Sequence, residues 1–107
     1  MNITLLPGYP DAVGHRRIWC GYGHGMASYV QSGDILSVPA GTLYIDSVSV
    51  ASDSTGTYEI WPVTSGGVGS RKSWILLWVV RATGVEVAVA TNLSASNVQL
   101  WGFGGKY

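Results

Sequence analysis

A chain of 107 residues that is 47% hydrophobic holds apolar material for one core, which excludes disorder and a collagen-like repeat and leaves no room for a second domain. Charged residues are only 11%, against about 25% in an ordinary soluble domain, so much of the surface must be Ser, Thr, Gly, Asn or apolar. Six basic residues balance six acidic ones, which removes the electrostatic footprint of a nucleic-acid binder and also the repulsion that keeps copies apart.

From the N-terminus, Met1 to Leu6 lacks the basic region and the long apolar run of a signal peptide, and Pro7, Gly8 and Pro10 interrupt it at once. Ile3 to Leu6 reads as a short edge strand. The Gly- and aromatic-rich stretch from Pro7 to Gly25 is long for a compact domain and reads as an ordered arm or a binding loop around one strand, Arg16 to Cys20. Within it Gly21 to Gly25 reads as a flexible turn, because a dinucleotide fingerprint needs a different spacing and a following helix. Ser28 to Gln31 is a candidate edge strand. Asp34 to Val38, Thr42 to Val50, Thr57 to Val63, Ser73 to Arg81, Val85 to Thr91 and Asn97 to Phe103 are rich in β-branched or aromatic residues and bounded by turn formers. No window holds the helical period over three turns. The expected architecture is therefore all-β, an antiparallel β-sandwich or jelly roll of about seven to nine strands in one domain spanning 1–107. Trp74 to Val80 is the longest nearly unbroken apolar run and falls far short of the length that crosses a bilayer as a helix, so no membrane partner is expected.

Three local patterns sharpen the strands. Between Thr42 and Val50 the apolar positions shift from Leu43 and Ile45 to Val48 and Val50, and a β-bulge near Asp46 and Ser47 restores their common facing. Ala82, Thr83 and Gly84 make a short hairpin loop between Ser73 to Arg81 and a strand in which Val85, Val87 and Val89 form the buried face, with Gly84 left-handed. Along Ser73 to Arg81, alternation places Trp74, Leu76, Trp78 and Val80 on one face and Ile75, Leu77 and Val79 on the other. The bulkier first set is assigned to the core. The second, Ile75, Leu77 and Val79, is the candidate protein interface, with a central strand covered on both faces as the competing reading.

Chemistry-bearing constellations are missing from the pattern. Cys20 is the only cysteine, so no internal disulfide forms and a buried thiol is expected. His15, Cys20 and His24 with Asp11 match no zinc-finger spacing, and local hydrogen bonding is expected for both histidines. Arg71 and Lys72, like Arg16 and Arg17, read as solvated loop charges. No nucleophile elbow or phosphate loop is present, and Asp11, Asp34, Asp46, Asp53, Glu59 and Glu86 fall on separate turns and strands. Asp34 and Asp53 sit beside turn residues where a carboxylate bonds the backbone. No enzyme activity, cofactor or metal is expected.

Five Trp and six Tyr exceed what a core of this size needs. Tyr9, Tyr22, Trp61 and Trp101 are the candidate aromatic contacts, for sugar rings in a lectin-like or receptor-binding module or for a protein partner. The signal-less Met1 start, the low charge, the Ser/Thr/Gly-rich turns, Trp74 to Val80 and the aromatic end from Leu100 to Tyr107 together resemble the small β-structured accessory virion proteins of tailed bacteriophages. That resemblance implies a non-enzymatic tail-tip or capsid-surface component, made in the bacterial cytoplasm, that packs against other virion proteins and against itself. The missing signal sets glycan binding behind assembly, and no glycan hit is expected of the isolated domain.

Overall fold

Nine strands and no helix make up the computed structural model, which describes residues 1–14, 16–51, 53–65 and 73–105. They are β1 (Thr4–Leu5), β2 (Asp11–Val13), β3 (Arg16–His24), β4 (Asp34–Ile35), β5 (Tyr44–Val50), β6 (Tyr58–Ser65), β7 (Ser73–Val80), β8 (Val85–Glu86) and β9 (Asn97–Gly105). One antiparallel sheet runs in the order β1-β3-β9-β5 with β2 also on β3, and the other in the order β4-β7-β6 with β8 also on β7. The two pack as an antiparallel β-sandwich.

Both inner faces follow the alternation of their strands. Trp19 of β3, Val98 and Leu100 of β9 and Ile45 of β5 meet Leu76 and Trp78 of β7 and Ile60 of β6 in one buried cluster. Trp74 and Val80 pack at its margin, so β7 turns its indoles inward. Each fully buried side chain of this size contributes about 1.5–3 kcal/mol. Two contacts give the core a fixed geometry. Tyr58 meets Trp78 edge-on at 5.7 Å between ring centres, and Trp74 Nε1 donates across the sandwich to the Ile45 carbonyl at 2.9 Å. The register of β5 against β9 shifts between Ile45 and Ser47, the bulge that lets Ile45, Val48 and Val50 face the core together.

Four expectations need correction. Gly21 to Gly25 is not a flexible turn, since β3 continues to His24 and pairs with β9 throughout. The glycines are there for close approach: a Cβ on Gly23 would stand 2.7 Å from the Met1 side chain, and one on Gly21 2.5 Å from the Thr4 carbonyl oxygen. The Pro7 to Gly25 stretch is accordingly β2 and β3 rather than an arm. The strand after the hairpin ends at Glu86, although Gly84 has the expected left-handed φ of 70°. Past Val87 the chain turns to bond Tyr29, through Ala90 N to the Tyr29 carbonyl and Tyr29 N to the Thr91 carbonyl, so Val87 is buried while Val85 and Val89 are exposed. The same bonds hold Ser28 to Gln31 without making it a strand.

The free edge of β6 is protected. Arg81 N donates to the Thr57 carbonyl, which places odd-numbered β6 residues in the hydrogen-bonded pairs and turns the nitrogen of Pro62 outward, where no donor is missed. The outward Tyr58 N–H on that edge goes to Asp53 Oδ2 at 2.7 Å. These two devices remove outward donors from the edge and disfavour strand addition along β6.

Tyr29 is the polar pin that holds the 28–32 connection to β7 and β8. Its hydroxyl accepts from Trp78 N and donates to Glu86 at 2.9 Å, and Glu86 also takes Gln31 Nε2 at 2.8 Å and Ser32 N at 3.0 Å. Burial, with the hydrogen bond and charge of Glu86 and the charge of Asp34, pushes the hydroxyl up to about 12 against the opposing Trp78 bond. A raised tyrosine contributes stability that is complete below its unfolded value of about 10 and is lost as pH rises towards 12. Tyr29→Phe is expected to cost about 1–2 kcal/mol at neutral pH and to flatten the loss of stability between about pH 10 and 12, measured by urea unfolding.

Candidate functional site

With both inner faces spent on the core, any site lies on the outer faces, at the edges or in the clefts between them. The outer face of β4-β7-β6 is built row by row from the ladder. Ile75 stands between Ile35 of β4 and Val63 of β6, Leu77 beside Trp61 of β6, and Val79 between Glu59 of β6 and Glu86 of β8. Ile35 is 69% exposed, Trp61 and Val63 are about half exposed, and Ile75 and Leu77 are half-buried. This is a continuous apolar surface across three strands, bounded at one end by two glutamates.

Of the three interface candidates on β7, the structure leaves Ile75 and Leu77 on this surface and removes Val79, which is only 2% exposed. Glu86 beside it is bonded to Tyr29, Gln31 and Ser32, which brings the 29–32 segment against this end of the strand. Sequence reasoning missed Ile35 and Val63. Each belongs to a strand whose outward period is visible in the sequence, but only the pairing shows that they flank Ile75.

The four aromatic candidates do not form one site. Tyr22 and Trp101 share the outer face of β1-β3-β9-β5, Trp61 lies on the opposite sheet, and Tyr9 sits in the connection between β1 and β2, next to a cis bond to Pro10. Cys20 and His24 lie on the outward side of β3 with Tyr22 between them. The thiol is half-buried rather than buried, because its strand position faces outward, and it takes a weak bond from Gln99 Nε2 at 3.8 Å. His24 Nδ1 donates to the Gly25 carbonyl at 3.0 Å. Among the described residues no three His, Cys, Asp or Glu converge; His15, Arg71 and Lys72 lie outside them.

The carboxylates are occupied separately. Asp34 is paired with the Met1 ammonium at 2.6 Å, which also donates to the Ile35 carbonyl, so Asp34 is not the turn residue its neighbours suggested. Asp46 pairs with Arg16 at 3.1 Å, Asp11 takes its neighbour's N–H, and Asp53 folds the turn between β5 and β6. Burial works to raise the Asp53 carboxyl, but bonds from the Thr55 hydroxyl and from the N–H groups of Tyr58, Thr55 and Gly56 outweigh it and hold it below the usual carboxylate range. Two clefts open at the rim. One of about 280 Å³ lies beside that turn, lined by Val50, Ala51, Glu59, Ile60, Trp61 and Arg81; the other, of about 220 Å³, lies over Met1, His24 and Asp34. Neither gathers a nucleophile, a base and an orienting group, the minimum for acyl or glycosyl transfer. No family model, no curated protein and no solved structure matches this chain.

Proposed function

We propose that the protein is a non-enzymatic assembly component, of the phage-virion kind its sequence resembles, and that it packs against a second copy or a neighbouring virion protein through the outer face of β4-β7-β6. The observation that supports this reading is the row Ile35, Ile75, Val63 beside Leu77 and Trp61. Branched aliphatics have no polar atoms with which to hold a hydrophilic ligand, and their gain comes only from being covered by another apolar surface. The β6 edge, with the outward donors at Tyr58 and Pro62 removed, favours packing by the face over addition of a strand. Low overall charge allows like copies to approach.

Leu77→Asp tests it, with Ile35→Asp as a second variant at the most exposed position of the patch. Placing a charge where an apolar side chain is covered forfeits at least about 1.5 kcal/mol per contact, more than a tenfold loss of affinity. Sedimentation velocity on the full chain is expected to show self-association in the wild type and monomer in both variants, with thermal midpoints little changed. Recovery of the wild type in purified particles and its loss in the variants carries the virion part. A monomeric wild type that is absent from particles overturns the reading, as does a patch variant that assembles normally.

A further inference from the structure

The outer face of β1-β3-β9-β5 differs in chemistry from the opposite one. Tyr22 of β3 lies opposite Gln99, Trp101 of β9 lies opposite Cys20, Phe103 follows two residues along, and Tyr44 of β5 lies opposite Gly105. The rings therefore run on a diagonal of about 20 Å across three strands, given a rise of about 3.3 Å per residue. Tyr22, Trp101 and Phe103 are 48%, 44% and 45% exposed, each with part of its ring bare. Tyr44 is laid across Gly105: a Cβ there would overlap its ring and hydroxyl, so glycine is what lets that ring lie close to the sheet.

Neutral hydrogen-bonding groups accompany the rings. Ser47 pairs with Phe103 and Ser49 with Trp101 on one side, and Gln99 lies next along β9. Arg16, at the Tyr44 end, is paired with Asp46, and Asp11 of β2 stands beyond Ile18 in the Phe103 row. Of the branched aliphatics on this side, Ile18 stands directly beside Phe103 and Val13 lies farther out, beside Arg16. A pyranose with equatorial hydroxyls presents weakly positive C–H groups on its flat face and hydroxyls round its rim. The first pack on the negative face of an aromatic ring, and the second need donors and acceptors beside it.

We propose that this face binds a neutral, extended β-1,4-linked glycan of the glucose or N-acetylglucosamine type along Tyr22, Trp101, Phe103 and Tyr44. The span of the diagonal favours an extended chain over a coiled one, and the Asp11 carboxylate in its middle row disfavours an acidic sugar. By sequence alone this reading stands behind assembly; the register that joins Tyr22 to Trp101 and Phe103 is what advances it. The face is on the other sheet from the proposed assembly surface, so neither role blocks the other.

Titration of the full chain with cellohexaose and chitohexaose, followed by tryptophan fluorescence and calorimetry with maltohexaose as the coiled control, tests the proposal. Saturable binding of a β-linked hexasaccharide is expected. Loss of one stacking ring in Trp101→Ala is expected to weaken it about tenfold or more, with smaller losses in Tyr22→Ala and Phe103→Ala and none in Leu77→Asp. Ser49→Ala, which removes only an exposed hydroxyl, reports on the same site should a ring variant fail to fold. No saturable binding by the wild type overturns the proposal, as does binding that survives in a folded Trp101→Ala, Tyr22→Ala double variant. A ring variant that changes the sedimentation of the sugar-free protein instead makes this face a protein contact, and the glycan reading fails.

Discussion

Gly102→Val is expected to leave the chain without a cooperative unfolding transition, and Gly102→Ala to lower its stability by about 3 kcal/mol. Gly102 lies inward on β9, between β3 and β5, opposite Trp19 on one side and Val48 on the other. A Cβ at this position would overlap the Ser47 carbonyl and come within 2.9 Å of the Trp19 ring. Neither neighbour has room to yield. Trp19 is fully buried, and Ser47 is fixed beside the bulge that sets the facing of β5. Overpacking a closed core costs about 1–3 kcal/mol for small intrusions, and valine adds three carbons to a domain whose total stability is on the order of 5–15 kcal/mol. Urea unfolding followed by near-ultraviolet circular dichroism is the measurement, with Ser49→Ala on the outer face as a near-neutral reference. A valine variant that unfolds at the wild-type midpoint would show that β9 does not pass this close to β5.

Asp53→Ala is expected to cost about 2–4 kcal/mol at neutral pH. Its carboxylate receives Thr55 N at 2.7 Å, Gly56 N at 3.1 Å and the Thr55 hydroxyl on one oxygen, and Tyr58 N at 2.7 Å on the other. The same turn is tied to β9 by Ser54 N to the Asn97 carbonyl and by Asn97 N to Ser54 Oγ. Without the carboxylate, the connection that carries the chain from one sheet to the other loses what closes it, and the Tyr58 N–H on the β6 edge loses its partner. The pH dependence follows from the lowered native value. Since the unfolded carboxyl titrates near 3.9, this contribution is complete above about pH 4 and is lost as pH falls through the lower native value. The stability difference between wild type and Asp53→Asn is therefore expected to be largest at neutral pH and to shrink on acidification to about pH 2. A difference that stays constant over that range would mean that the charge contributes nothing.

Much of the fold was legible because its signals are local. Gly and Pro punctuation separated the strands, the slip between Ile45 and Val48 marked the bulge, and alternation gave the facing of Trp74 to Val80. Where the reading failed, a distant segment overrode the local one. Gly21 to Gly25 has the composition of a turn, but β9 offers it a full ladder and the N-terminal segment needs its missing Cβ atoms. Val85 to Thr91 alternates like a strand, but Tyr29 competes for its backbone after Val87.

By itself the sequence determined the class of structure, the approximate placing of the long strands and which of their side chains share a side, because period and turn chemistry are properties of adjacent residues. Only the tertiary structure decided which sides meet: that Ile35 and Val63 flank Ile75, that Val79 is withdrawn between Glu59 and Glu86, and that Tyr22, Trp101 and Phe103 form one line of rings. Lateral neighbours come from pairing between strands far apart in the chain, as β3 and β9 are. That pairing is selected by the burial of a shared core, which no short window of residues records.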